Sequence, residues 1–164
     1  MKLPDRYNEV RKTLPVAEVS YGCGGIKMFS AFDLGDGQVG YSVAPDGSSL
    51  CSGGTGAWHS NWVVIGYEMA CGDPLFIDID APSLPVFTAL HGEGAWEPIQ
   101  VAASIEAFGK CIEEFSRISA GRRNPVEREA NPIGSDERTV FLHRIAELNR
   151  TTSAPEFWDV LLEG

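Results

Sequence analysis

Four acidic residues lie on or beside two apolar runs near the middle of the chain: Glu68, Asp73, Asp78 and Asp80. Because side chains alternate along a strand, Asp78 and Asp80 are expected to share one face. Paired carboxylates can bind a divalent cation or act in hydrolysis, which gives one hypothesis, a metal-assisted hydrolase. The same residues can instead cap turns or form an acidic surface. Since no third kind of ligand accompanies them, we favour the surface.

Histidine and cysteine give weaker signals. His91, in a glycine-rich loop, could serve as an acid-base group, although an exposed loop histidine usually has no such role. The four cysteines are widely spaced, with no C-x-x-C pair and no histidine at metal-finger spacing, so the sequence predicts no zinc site and no cofactor. Cys111 is expected to be a small buried residue of a helix. Cys71 lies beside a turn and lacks the cationic neighbours that make a thiol reactive.

The aromatic residues predict a core and two surface positions. Most of Trp62, Tyr67, Phe76 and Phe87 should pack a sheet against a helix. Trp58 and Trp96 each follow a glycine-rich stretch, and we expect both near the surface, where tryptophan often anchors a partner. The alternative is that both simply cover the core.

Strands and one helix must position these groups. Apolar and β-branched residues fill the runs 62–67 and 75–80, and the turn Cys71-Gly72-Asp73-Pro74 joins them, which predicts two paired strands. A third apolar run covers 85–90. Residues 103–118 then change to helical spacing, with Ser104 as the expected N-cap and Gly121 as the expected left-handed stop.

The flanking segments are predicted from punctuation by glycine and proline. A short helix is expected to end at Leu14-Pro15, because the residue before proline avoids the helical region. Dense glycine in 21–66 predicts tight turns between short strands such as 27–29 and 39–43. Further helices are expected over 135–150 and after the capping-box sequence Ser153-Ala154-Pro155-Glu156, with Phe157, Trp158, Val160 and Leu161 covering an apolar surface.

Length and composition predict one globular domain. The chain has 164 residues, of which 43% are hydrophobic and 22% charged. We expect a single α+β domain over 1–164 with a central mostly antiparallel or mixed sheet flanked by helices. Residues 1–121 form the core, and 122–164 form a C-terminal helical extension docked on it. The N-terminus has no signal-peptide pattern and no run is apolar enough to span a bilayer, which predicts a cytoplasmic protein.

The net charge restricts the class of partner. At pH 7 the formal net charge is -10. This charge disfavours binding to nucleic acid and to anionic membranes, since both select lysine and arginine. It favours attraction to a basic protein, although negative charge can also serve solubility alone.

Four blocks of the sequence, in this order and spacing, carry a resemblance to a known family. The blocks are Trp62-Val63-Val64-Ile65-Gly66, Gly72-Asp73-Pro74-Leu75-Phe76-Ile77-Asp78, Pro85-Val86-Phe87 and Ala103-Ser104-Ile105-Glu106-Ala107-Phe108. They resemble the SUKH superfamily, which includes fungal cell-wall-synthesis regulators and bacterial immunity proteins that neutralise polymorphic toxins. The resemblance implies an α+β fold and a non-enzymatic binding role.

The leading hypothesis is therefore an immunity protein that binds and neutralises a toxin domain of nuclease type, with an acidic face placed in a basic substrate cleft. One alternative is a housekeeping scaffold or regulatory module that binds a cellular protein or a small ligand. The other is the hydrolase that uses Asp78 and Asp80. The candidate partner-binding residues are Glu68, Asp73, Asp78, Asp80, Glu93, Trp96 and Glu97.

Overall fold

The structure, a computed structural model, describes residues 3–13, 17–150 and 154–163. Six β-strands come first after a short helix, and four more helices follow them. The elements are α1 (Asp5–Thr13), β1 (Glu18–Tyr21), β2 (Gly24–Met28), a 3₁₀ helix (Asp36–Gln38), β3 (Trp62–Glu68), β4 (Pro74–Asp78), β5 (Val86–Thr88), β6 (Ile99–Ala102), α2 (Ile105–Ile118), α3 (Pro125–Ala130), α4 (Ser135–Asn149) and α5 (Ala154–Glu163).

The strands form one antiparallel sheet in the order β1-β2-β3-β4-β5-β6, so every strand pairs with its neighbours in sequence. Short turns join β1 to β2 and β3 to β4, as antiparallel neighbours allow, whereas residues 29–61 separate β2 from β3. The fold is α+β, as the sequence predicts. A register shift between Val64 and Gly66 places a bulge in β3 where it pairs with β4.

The helices cover one face of the sheet. Ile65 and Leu75 point from the strands into a hydrophobic cluster that also contains Phe108 and Phe115 of α2 and Trp158 of α5. Ser104 accepts a hydrogen bond from the backbone N–H of Ala107, which confirms the predicted N-cap of α2. The C-terminal helices thus share the main core with the sheet.

An irregular layer covers the other face. Val64 and Phe76 point away from the helices and pack against Trp58 and Trp62. Tyr41 and Trp96 extend this second cluster toward the surface. The glycine-rich segment between β2 and β3, residues 29–61, therefore packs over this face of the sheet and is called the covering segment.

Several expectations about elements need correction. Residues 39–43 form turns and isolated bridges, because Gly40 adopts a φ of 93° that interrupts a strand. The third predicted strand is limited to Val86–Thr88. The sequence prediction missed β6 and α3. Gly121 has the predicted positive φ, at 72°, whereas Leu14-Pro15 and Ser153 lie outside the described residues.

No helix within the described ranges has both the length and the apolar character needed to cross a lipid bilayer.

Candidate functional site

The turn between β3 and β4 is held by the carboxylate of Glu68. Oε1 accepts a hydrogen bond from the N–H of Ala70 at 2.5 Å, and Oε2 accepts one from the N–H of Cys71 at 2.8 Å. Gly72 supplies the positive φ of 82° that the turn requires, and its N–H donates to the Glu68 carbonyl. Glu68 is buried. Its carboxylate therefore stabilises the turn. From the sequence alone, Glu68 is instead predicted to be a partner-binding residue.

Asp73 connects this turn to the loop between β5 and β6. Its Oδ1 accepts a hydrogen bond from the N–H of His91 at 3.0 Å and lies 2.6 Å from Nδ1 of the same residue. The carboxylate is mostly covered, whereas the imidazole is largely exposed. The second ring nitrogen of His91 makes no hydrogen bond within the described residues. The pair fixes the loop on the turn and leaves an imidazole at the surface.

Glu68, Cys71 and Asp73 place a carboxylate oxygen, a thiol and a second carboxylate oxygen within 4.8 Å of one another. These are ligand types that zinc accepts, but a closed structural zinc site needs four. The hydrogen bonds of the turn already account for the positions of both carboxylates. The cluster is therefore explained by local structure.

Asp78 and Asp80 lie at the opposite end of β4 from this turn. Asp78 is the last residue of the strand, and Asp80 follows in a bend, so the prediction that both share one strand face is wrong. Oδ1 of Asp78 accepts hydrogen bonds from Nδ2 of Asn61 at 2.6 Å and from the N–H of Asp80 at 3.0 Å. This arrangement closes the end of the strand, which is the turn-capping alternative.

The remaining candidates lie in the β5–β6 loop. Glu93 and Glu97 are exposed, and Trp96 is half-buried against Tyr41, with ring centroids 5.4 Å apart. Trp58 is only 2% exposed and donates its indole N–H to the Trp62 carbonyl, so its predicted surface position is wrong. Trp58 is covered by Tyr41 of the same segment and by Trp96 of the β5–β6 loop. The glycines near Trp58 in the sequence do not indicate these contacts.

Tyr41 lies where the covering segment meets the acidic turn. Burial raises the pKa of Tyr41, and the nearby Asp73 carboxylate raises it further. The β5–β6 loop, which carries Glu93, Trp96 and Glu97, leaves the sheet at the same end as the turn with Glu68 and Asp73, because Thr88 of β5 pairs with Leu75 of β4. Trp96 packs beside Tyr41 over the second cluster. Asp78 and Asp80 lie at the other end of β4.

A cleft of about 550 Å³ opens beside the same turn, between α5 and the ends of the strands. Sequence reasoning missed it, because its walls come from segments far apart in the chain. In the structure, exposed apolar side chains at its edge are the clearest sign of this cleft. The lining residues are Gly24, Glu68, Ala70, Cys71, Asp73, Thr88, Leu90, Ile99, Glu156, Phe157, Val160, Leu161 and Glu163.

Charge is unevenly distributed along the chain. Residues 28–109 contain ten aspartates and glutamates and no lysine or arginine, whereas the rest of the chain contains thirteen acidic and thirteen basic residues. The whole formal charge of -10 therefore comes from the covering segment, strands β3–β6 and the start of α2. The C-terminal helices and the connection between α2 and α3 carry compensated pairs, such as Arg138 with Asp159 and Arg122 with Glu137.

Comparison with protein-family models, with curated proteins and with solved structures finds no significant match in any of the three.

Proposed function

We propose that this chain is a non-enzymatic binding protein of the immunity type, which acts in the cytoplasm by covering the basic substrate cleft of a toxin domain. The observation that supports this best is the segregation of charge. Residues 28–109 form an anionic half without a single lysine or arginine. A basic surface approaching this half meets no repulsive cation of that segment.

Electrostatics of this kind acts mainly on the rate of association. A uniformly signed surface steers an oppositely charged partner and suppresses wrong partners, while desolvated aromatic and apolar side chains supply most of the affinity. The loop end of the sheet offers both, with Glu93 and Glu97 exposed beside half-buried Trp96. This end is the proposed contact surface.

A scaffold or regulatory protein that binds a basic cellular protein would use the same surface. The two functions differ in gene context, because an immunity protein is expected beside the gene of its toxin. The hydrolase has less support, since the Asp78 carboxylate already accepts two hydrogen bonds that end the strand. Metal analysis of the purified protein and an Asp78→Asn variant test that alternative directly.

Co-expression with the product of the neighbouring gene, followed by pull-down and a growth-rescue assay, tests the main proposal. Glu93→Gln with Glu97→Gln removes two exposed charges at the proposed surface. We avoid Asp73, because it holds His91. The double variant should associate roughly two- to fivefold more slowly at low ionic strength and show a shallower dependence of that rate on salt.

Glu113→Gln with Glu129→Gln is the matched control, since both residues are exposed on helices and form no ion pair within the described residues. This pair should leave the association rate nearly unchanged. Equal effects from both double variants would remove the electrostatic part of the proposal. Failure to capture the neighbour and to rescue growth would remove the immunity function.

A further inference from the structure

The cleft beside α5 leaves apolar surface uncovered. Eight large apolar side chains are exposed among the described residues, and three of them line this cleft: Leu90, Ile99 and Val160, at 52%, 39% and 68%. Phe157 adds a half-buried ring from α5. Exposed apolar side chains that converge on one concavity usually mark a binding site, whereas single scattered ones do not.

The size of the cleft suits a small molecule. Its volume of about 550 Å³ lies inside the roughly 300–1,000 Å³ of known small-molecule sites, which are mostly apolar with a few polar groups that fix orientation. Gly24 forms part of the wall, and a Cβ there would lie 3.4 Å from Oε1 of Glu68. The missing side chain leaves space beside the turn carboxylate.

All the charged side chains that line the cleft are carboxylates. Glu68, Asp73, Glu156 and Glu163 line it, and the described lining includes no lysine, arginine or histidine. Glu163 pairs with Arg138 and Asp73 with His91, but among the described residues buried Glu68 receives only backbone N–H groups. Buried charged groups are usually paired with an opposite charge as well as hydrogen-bonded. A positively charged ligand group would supply the missing partner.

Thr88 gives an independent indication. It is 5% exposed and lines the cleft, and its hydroxyl has no hydrogen-bond partner among the described residues. Buried hydroxyls are nearly always paired, and leaving one unpaired costs about 1–3 kcal/mol. A ligand that donates a hydrogen bond into the cleft would satisfy this oxygen.

We propose that the cleft binds a small amphiphilic amine, with its apolar body between α5 and the strand ends and its ammonium group near Thr88 and the turn carboxylates. The sign of the lining charges selects an ammonium against a carboxylate. The apolar side chains select a hydrocarbon body. This proposal does not depend on the protein partner proposed above. If the cleft bound no amine, the proposed immunity function would be unaffected.

Three probes with the same tail test the charge: octylammonium, 1-octanol and octanoate, titrated below their aggregation concentrations at pH 7 and followed by calorimetry and amide chemical shifts. Octylammonium should bind with a Kd below about 1 mM and at least about tenfold more tightly than octanoate. Shift changes should concentrate at Ala70, Cys71, Ile99 and Val160. No binding of octylammonium at about 10 mM, or equal binding of octanoate, would overturn the proposal.

Two variants locate the site. Val160→Lys places a like charge in the cleft and should weaken octylammonium binding at least tenfold, whereas Val140→Lys, an exposed valine of α4 outside the cleft, should leave it unchanged. Thr88→Val keeps the shape but removes the hydroxyl, so binding should weaken severalfold. If Thr88 served only packing, the Thr88→Val variant would bind octylammonium as tightly as the wild type or more tightly. That result would reject the role of the hydroxyl as a hydrogen-bond acceptor.

Discussion

The side chain of Gln38 pairs with the backbone of Val64 as a neighbouring strand would. Its Oε1 accepts the N–H of Val64 at 3.0 Å, and its Nε2 donates to the Val64 carbonyl at 2.8 Å. A further bond from Nε2 to the Leu34 carbonyl holds the covering segment in place. The registered pairing of β2 with β3 covers only Ile26–Met28 on the β2 side, so Gln38 completes the edge of β3 beyond it.

Replacing Gln38 by leucine should therefore destabilise the protein strongly. The variant leaves the buried N–H and carbonyl of Val64 without partners, and each unsatisfied group costs about 1–3 kcal/mol, so we expect a loss of about 2–4 kcal/mol in the free energy of unfolding. Urea unfolding followed by tryptophan fluorescence measures it. Gln100→Leu, at a half-buried position of β6, is the matched control. Comparable losses in both variants would contradict the role of Gln38.

The strands and helices with clear periodicity could be predicted, and the layer that covers the sheet could not. Strands β3 and β4 have continuous apolar runs, and α2 has a regular apolar stripe with a serine cap. Strand β6 has only four residues, including a half-buried glutamine, which gives no periodic signal. Trp58 is buried by residues from several distant segments, and local sequence carries no record of such contacts.

Most of the candidate site was beyond prediction for a related reason. The acidic residues were visible, but whether a carboxylate caps a turn or faces a partner depends on the backbone beside it, as Glu68 and Asp78 illustrate. The cleft needs α5 beside the strand ends, which no short motif encodes. The absence of lysine and arginine from residues 28–109 was readable in the sequence.

Tyr7 should make the protein sensitive to alkaline pH. Burial raises the pKa of Tyr7 from an ordinary value of 10.0 to about 12, against the opposing effect of Arg11. Between these values the unfolded state releases the phenolic proton and the folded state keeps it, so stability is complete below pH 10 and falls as pH rises toward 12. The slope reaches about 1.4 kcal/mol per pH unit for one group.

Tyr7→Phe isolates this contribution. The variant should lose a small, constant amount of stability at neutral pH, and its free energy of unfolding should fall less steeply than that of the wild type above pH 10. Chemical unfolding at several pH values from 8 to 11.5 measures the difference. Parallel curves for the two proteins throughout that range would mean that Tyr7 ionises equally in both states.

Cys111 should resist alkylation in the folded protein. Its side chain is buried in α2, and burial raises the pKa of the thiol to about 12, so almost no thiolate is present at pH 8. Cys23 and Cys71 are exposed and should react with iodoacetamide during an incubation of the native protein that leaves Cys111 unmodified. Peptide mass spectrometry before and after denaturation measures the modified fraction at each position. Rapid native labelling of Cys111 would show that α2 opens easily from the sheet.

Gly66 should be intolerant of any side chain, because β2 lies against it. A Cβ at this position would fall well inside contact distance of the Lys27 carbonyl oxygen and 3.1 Å from Cα of Met28. Both are backbone atoms, so relief requires separating β2 from β3 next to the bulge. We expect Gly66→Ala to cost about 1–3 kcal/mol or more, as overpacking of a close contact does.

Gly54→Ala is the control for this substitution, since a Cβ there would meet only Oγ of Ser52 at 3.6 Å. The control should change stability by less than about 0.5 kcal/mol or raise it slightly, because alanine reduces the freedom of the unfolded chain. Thermal and urea unfolding of both variants give the comparison. If Gly66→Ala proved as stable as Gly54→Ala, strands β2 and β3 would have to lie farther apart than their register indicates.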